Sequence, residues 1–209
     1  TAEEVAGLLG ASAADVIVCS TGLIGERLPM EKILSGAADA AAALAADGGP
    51  DAAVSIMTTD TVPKQAVRTV GAGTIGSMAK GAGMLAPGLA TMLVVLTTDA
   101  ALTSQQLDTA LREAVRLSFN RADSDGCMST NDTVALLASG ESGVTPDPQD
   151  FTQALTAICQ DLALQLIGDA EGASHDIHVR TLGAATEAEA EEVSRAVSRS
   201  NLFKTAIFG

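Results

Sequence analysis

Met92–Leu96 (MLVVL) is apolar at every position, and no other stretch limits the fold as much. A strand points successive side chains to opposite faces, so an unbroken apolar run needs cover on both sides. Ala52–Met57 reads as a second buried strand and Asp15–Cys19 (DVIVC) as a third. Each runs into a polar turn: Thr97-Thr98-Asp99, Thr58-Thr59-Asp60 and Ser20-Thr21-Gly22. Val134–Ala138 reads as a strand reached through Ser129-Thr130-Asn131-Asp132. Ile177, Val179 and Thr181 alternate with His178 and Arg180, which predicts a half-exposed strand.

Helical spacing predicts a short helix from Thr1 to Leu9, with Thr1 and Glu4 spaced as a capping box. It predicts another from Met30 to Ala46, stopped by Asp47-Gly48-Gly49-Pro50. Leu102–Leu117 is amphipathic, with Thr103 and Gln106 as its capping box. Asp147-Pro148 opens a helix that runs to Leu166 and breaks at Gly168. Thr186 and Glu189 cap a last helix reaching Ser198. Strands and helices do not alternate as in a parallel doubly wound sheet. The expected class is α/β (α+β), with two central sheets sandwiched between helices. The 209 residues suit one domain with no internal repeat or long linker. With no Trp or Tyr, the core must be packed from Ala, Val, Leu, Ile and Met.

Charge narrows the partners. Against 26 Asp and Glu there are only 12 Lys and Arg, a net charge of −14. That balance offers no basic face for nucleic acid and disfavours anionic membranes. No apolar run reaches the roughly 18 residues a membrane-spanning helix needs. Cys19, Cys127 and Cys159 are odd in number and widely spaced, so they fit neither a zinc site nor a disulfide framework. They read as small buried hydrophobes in a reducing cytoplasm.

Glycine marks the chemistry. In Lys80-Gly-Ala-Gly-Met-Leu-Ala-Pro-Gly-Leu-Ala-Thr91, glycines at 81, 83 and 88 free the backbone just ahead of Thr91. A threonine hydroxyl is a weak nucleophile that needs an adjacent base. An N-terminal threonine carries its own, an α-amino group of ordinary pKa about 7.7 to 8.0. Such chemistry requires the Ala90-Thr91 bond to be cut first, with the hydroxyl reaching its own preceding carbonyl. The residues alone leave open that Thr91 is simply a β-branched residue starting a strand.

Other candidates carry the same ambiguity. Thr21 and Gly22, in a turn at a strand end, could aim donors at a developing oxyanion or be an ordinary turn. Lys80, flanked by small residues, could meet a carboxylate or be a solvated loop lysine. Glu171, between a helix and a strand, could bind an ammonium group or lie in a solvated turn. Gly71-Ala-Gly73-Thr-Ile-Gly76 matches a dinucleotide fingerprint without the helix that should open there. His175 and His178 fall on opposite faces of the expected strand, which argues against a shared metal. Asp123-Ser-Asp125-Gly126 hints at a calcium loop whose other ligands are absent.

Taken together these stretches resemble the ornithine acetyltransferase family, also called glutamate N-acetyltransferase. The resemblance is carried by Ser20–Gly25, Ile56–Thr61 with Pro63-Lys64, Ala79–Leu93, Ser118–Arg121, Ser129–Val134, Gly168–Ala173 and Lys204–Gly209, in family order. Lys80-Gly-x-Gly-Met-x-Ala-Pro-x-x-Ala-Thr-Met-Leu93 is its most specific run. It implies an N-terminal-nucleophile-like, four-layer αββα core. It also implies self-cleavage between Ala90 and Thr91 into an α chain (1–90 here) and a β chain (91–209 here), assembled as α2β2.

By the same resemblance Thr91 is the nucleophile, and Thr21 and Gly22 form the oxyanion site. Thr58 or Thr59, with Lys80, Glu171 and Thr91, bind substrate. The implied reaction moves acetyl from N2-acetylornithine to glutamate by a ping-pong route in cytoplasmic arginine biosynthesis, without cofactor or metal. Hydrolytic relatives of the same fold expose a serine, so Thr91 favours transfer over hydrolysis. Family chains extend further at both ends, so this chain is expected to be an internal portion.

Overall fold

A computed structural model describes residues 1–23, 25–85 and 92–208. Helices α1 (Ala2–Leu9), α2 (Met30–Ala42) and α3 (Gly49–Ser55) precede β1 (Lys64–Val70), β2 (Gly73–Lys80) and β3 (Leu93–Thr98). Helix α4 (Ser104–Arg116), β4 (Thr133–Ala138), α5 (Pro148–Gly168), α6 (Glu187–Ser198) and α7 (Asn201–Phe208) follow. The strands form one mixed sheet in the order β1-β2-β3-β4. The β1–β2 and β2–β3 pairs are antiparallel, and β4 runs parallel to β3 after a crossover through α4.

Registry decides which side of the sheet is covered. Ile75 sits opposite Thr98, Ala79 opposite Val94, and Val94 opposite Val134. Ile75, Val94 and Leu96 from this face pack with Phe151, Leu155, Ile158, Leu162 and Leu166 of α5 and with Ala110 and Ala114 of α4. The α5 residues recur three or four apart, which is one stripe of a helix. The small alanines let α4 approach closely. The alternate residues form the opposite face, where Val67 is 69% and Leu137 43% exposed.

Start signals read from sequence work as expected on three helices. Thr103 accepts the Gln106 N–H while the Gln106 side chain accepts the Thr103 N–H. Thr186 and Glu189 do the same on α6. Asp147 accepts the N–H groups of Gln149 and Asp150 ahead of Pro148. Each such cap is worth about 1 kcal/mol.

The α/β class is as expected, with one four-stranded mixed sheet among the described residues. Other expectations are corrected. Ala52–Met57 is largely helical, within and just after α3, because Gly49-Pro50 opens a helix there instead of merely closing the one before. A short, mostly apolar stretch does not itself distinguish strand from helix. α2 ends at Ala42, short of Ala46, and Thr1 makes no side-chain cap on α1. Asp15–Cys19 pairs with neither sheet edge, and Ile17 and Val18 stay exposed. Ile177–Thr181 likewise joins no ladder. Gly71 lies at the β1–β2 hairpin turn with φ 59°, so the glycine fingerprint is a hairpin and not a phosphate loop. Among the described residues no helix is long and apolar enough to cross a membrane.

Candidate active site

Lys64 sits opposite Ala79, Lys80 opposite Leu93, and Leu93 opposite Thr133. The start of β1, the end of β2 and the starts of β3 and β4 therefore share one end of the sheet. Asp60, buried just ahead of β1, anchors that end. Its Oδ1 accepts Lys64 Nζ at 2.7 Å and the Gly81 N–H at 2.7 Å, and its Oδ2 accepts the Thr58 N–H at 3.1 Å. Gly81 has φ 152°, a value natural only to glycine, as its amide meets the carboxylate. Burial pushes the Asp60 pKa up. The Gly81, Lys64 and Thr58 hydrogen bonds overrule burial and bring it down to about 2.

Lys64 bridges onward to Asp169 at 2.5 Å. Asp169, at the end of α5, also accepts the Thr61 N–H at 2.9 Å and the Thr61 hydroxyl. Two residues on, the Glu171 N–H donates to the Ala82 carbonyl at 2.5 Å. Lys80 is 2% exposed, and its Nζ lies 3.8 Å from Asp60 Oδ2. Burial lowers the pKa of its ammonium, and Asp60 is the strongest group opposing that shift.

A cavity of 530 Å³ opens beside these groups. Lys80 and Glu171, expected as substrate contacts, line it together with both Thr58 and Thr59, of which one was expected, and Met84, Ile167, Phe203 and Phe208 give it an apolar wall. It thus presents an ammonium and a carboxylate to one space.

Thr21 and Gly22 are not part of this lining, but their turn is tied to the same end of the sheet. Asn131 Nδ2 donates to the Ser20 carbonyl at 3.0 Å. The next residue, Asp132, accepts the Met92 N–H at 2.8 Å, and the Thr133 N–H returns to the Met92 carbonyl at 3.0 Å. Burial pushes the Asp132 carboxyl up to about 6, against the Met92 bond and Lys80. Ala90 and Thr91 lie outside the described residues, as does the rest of the glycine-rich run from Ala86.

Asp60, Lys64, Asp169 and Asp132 were not singled out by sequence reasoning. Nothing in Thr-Thr-Asp or Pro-Lys marks a charge as buried. The nearest signal was that Asp60, Lys64, Asp132 and Asp169 fall within stretches that carry the family resemblance. Other candidates dissolve. His175 lines the cavity edge-on to Phe208, with ring centroids 5.1 Å apart, and His178 does not line it. No metal-holding cluster occurs among the described residues. Asp125 accepts the Met84 N–H and Asp123 pairs with Arg199, so the calcium-like carboxylates hold the chain together. Cys159 is buried and its thiol is pushed up to about 12 by that burial, whereas Cys127 is exposed and Cys19 only half-buried, against expectation.

Residues 1–209 match the ArgJ family. The arginine biosynthesis bifunctional protein ArgJ of Streptomyces coelicolor is 60% identical over 209 residues, covering 100% of this chain and 55% of that protein. Its namesake in Thermobifida fusca is 57% identical with the same coverage, and that of Mycolicibacterium paratuberculosis is 53% identical over 217 residues, 54% of its length. The chain spans about half the length of the curated relatives it matches. The crystal structure of the arginine biosynthesis bifunctional protein argJ from Bacillus halodurans superposes with a TM-score of 0.51 at 40% identity, over 56% of this chain and 57% of that one.

Proposed function

This chain belongs to the ArgJ family, and from that premise we propose that it supplies the catalytic core of an acetyltransferase in cytoplasmic arginine biosynthesis. The enzyme moves acetyl from N2-acetylornithine to glutamate through an ester on Thr91. The observation that carries the substrate reading is the meeting of Lys80 and Glu171 on one cavity. N2-acetylornithine and glutamate each bring a carboxylate, and each brings an ammonium or amine. Lys80 takes the carboxylate as a point charge. Glu171 takes the ammonium, and Thr58 and Thr59 supply hydroxyls beside them.

Activation begins with Thr91 Oγ attacking the Ala90 carbonyl carbon. The C–O bond forms, the C–N bond breaks, and the hydroxyl proton passes to the released nitrogen. Water then hydrolyses the ester, leaving an Ala90 carboxylate and a free Thr91 amine. In turnover that amine takes the Oγ proton as Oγ attacks the acetyl carbon, and it returns the proton to the departing ornithine amine. Thr21 and Gly22 face the oxyanion. Glutamate's amine then attacks the acetyl-Thr91 ester, giving N-acetylglutamate and restoring the hydroxyl. Exchange between two amines requires no metal or cofactor. In the whole protein, the apolar sheet face bearing Val67, Val95 and Leu137 is covered by a second sheet, completing a four-layer αββα core. The cut chains assemble as α2β2.

The full-length protein tests this directly. Its mass is expected to show a break before Thr91, and Thr91→Ala is expected to remain uncut and inactive. A single uncut wild-type chain would sink the reading. Free acetate without N-acetylglutamate, across a panel of acetyl donors, would replace transfer with hydrolysis.

A further inference from the structure

Three separate segments bring substrate contacts to the cavity: the turn at Thr58-Thr59, the end of β2 at Lys80, and the turn at Glu171. One chain of buried charge joins all three. Asp60 holds the first through the Thr58 N–H and the second through the Gly81 N–H. Lys64, fully buried, passes from Asp60 to Asp169, which lies two residues before Glu171. None of these three charged residues lines the cavity. We propose that Asp60 is the positioning residue of the substrate-carboxylate site, keeping Lys80 in place and charged, with Lys64 and Asp169 holding the Glu171 turn in register with it. This rests on the reading of Lys80 as the carboxylate contact.

The charges facing Lys80 give the role a signature. Asp60 comes from the turn before β1, Lys64 from β1, Asp132 from the turn before β4 and Glu171 from the turn after α5. Burial and Lys64 disfavour the ammonium, and Asp60 leads the groups that favour it. Removing the Asp60 charge therefore lowers the Lys80 pKa further. Anion binding is then lost at a lower pH than in the wild type. A merely structural role for Asp60 would not move that limb.

The test uses full-length, self-cleaved enzyme and three variants, Asp60→Asn, Asp60→Glu and Lys80→Ala. Asp60→Asn is expected to raise the KM for N2-acetylornithine about tenfold, with kcat within about twofold, and to shift the alkaline limb of kcat/KM to lower pH. Asp60→Glu keeps the charge but not the reach. It is expected to raise KM about threefold and leave the limb in place. An unchanged KM in Lys80→Ala overturns the carboxylate reading and the proposal with it. A raised KM in Lys80→Ala beside unchanged KM and limb in Asp60→Asn overturns the positioning role alone. Should Asp60→Asn not fold, Asp60→Glu decides: an unchanged KM or a displaced limb overturns the proposal.

Discussion

Asp60 and Asp132 stand at the same end of the sheet, one ahead of β1 and the other ahead of β4, and burial pushes both toward the protonated form. They end far apart. Asp60 accepts from two backbone amides and from Lys64, and its pKa falls to about 2. Asp132 accepts from the Met92 amide and feels Lys80 through space, and its pKa rises to about 6. Burial alone says nothing about which carboxylate stays ionised; the count of donors does. One side of the site is therefore a fixed anion that organises loops. The other, on the amide of the residue after Thr91, is pushed up to about 6.

The strongest way to break this contrast is to remove the cation on the fixed side. Lys64→Met leaves Asp60 and Asp169 with no cation between them. Losing one member of a buried pair costs about 3–5 kcal/mol. Urea unfolding should show a loss of that size, and a loss below about 1 kcal/mol would mean that the Asp60 side is not the rigid one.

Isosteric removal of each carboxylate should give opposite signs. Asp60→Asn is expected to cost about 2 kcal/mol at pH 7, the value of its lowered pKa. Asp132→Asn keeps an acceptor for the Met92 amide and removes a charge the folded state disfavours. It should stabilise by up to about 3 kcal/mol at pH 7. Equal signs would erase the distinction.

The same asymmetry appears as a function of pH. Asp60 has a lower pKa folded than its ordinary 3.8, so its contribution is present above that value and lost as pH falls toward about 2. Asp132 has a higher pKa folded, so the folded state holds its proton more tightly. Stability should rise as pH falls through about 6 toward 3.8, then fall below that as Asp60 takes a proton. Thermal midpoints of the wild type and the two asparagine variants should show Asp60→Asn weakening the acid limb, to which Asp169 also contributes, and Asp132→Asn weakening the rise below about 6.

How far the sequence revealed this depends on what each feature needs. The α4, α5 and α6 starts were legible because capping is local: a side chain and an amide three residues away settle it. MLVVL was legible because its apolarity is continuous, and β3 became a central strand. β2 was not. Gly73 and Gly76 are poor strand formers, and its strand character comes from neighbours pairing on both sides. Ala52–Met57 could not be typed from its own residues. Lys80 and Glu171 were found as chemistry in glycine-rich turns, and the cavity unites them. Asp169 was missed because its pairing with Lys64 spans more than a hundred residues, and Asp60 with Lys64, only four apart, because nothing in their neighbours marks that pair as buried.

The smallest effect isolates burial from spacing. Lys64 and Asp60 lie four residues apart with fully buried side chains, and Arg112 and Asp108 lie four apart on α4 with side chains 78% and 58% exposed. The exposed hydrogen bond is geometrically as good, at 2.8 Å against 2.7 Å. Water and salt screen it, and holding two long side chains in one geometry offsets the gain. Arg112→Ala should leave the unfolding midpoint within measurement error, and added salt should not separate it from the wild type. A clear loss there, comparable with Lys64→Met, would mean that four-residue spacing rather than desolvation gives the Asp60 pair its strength.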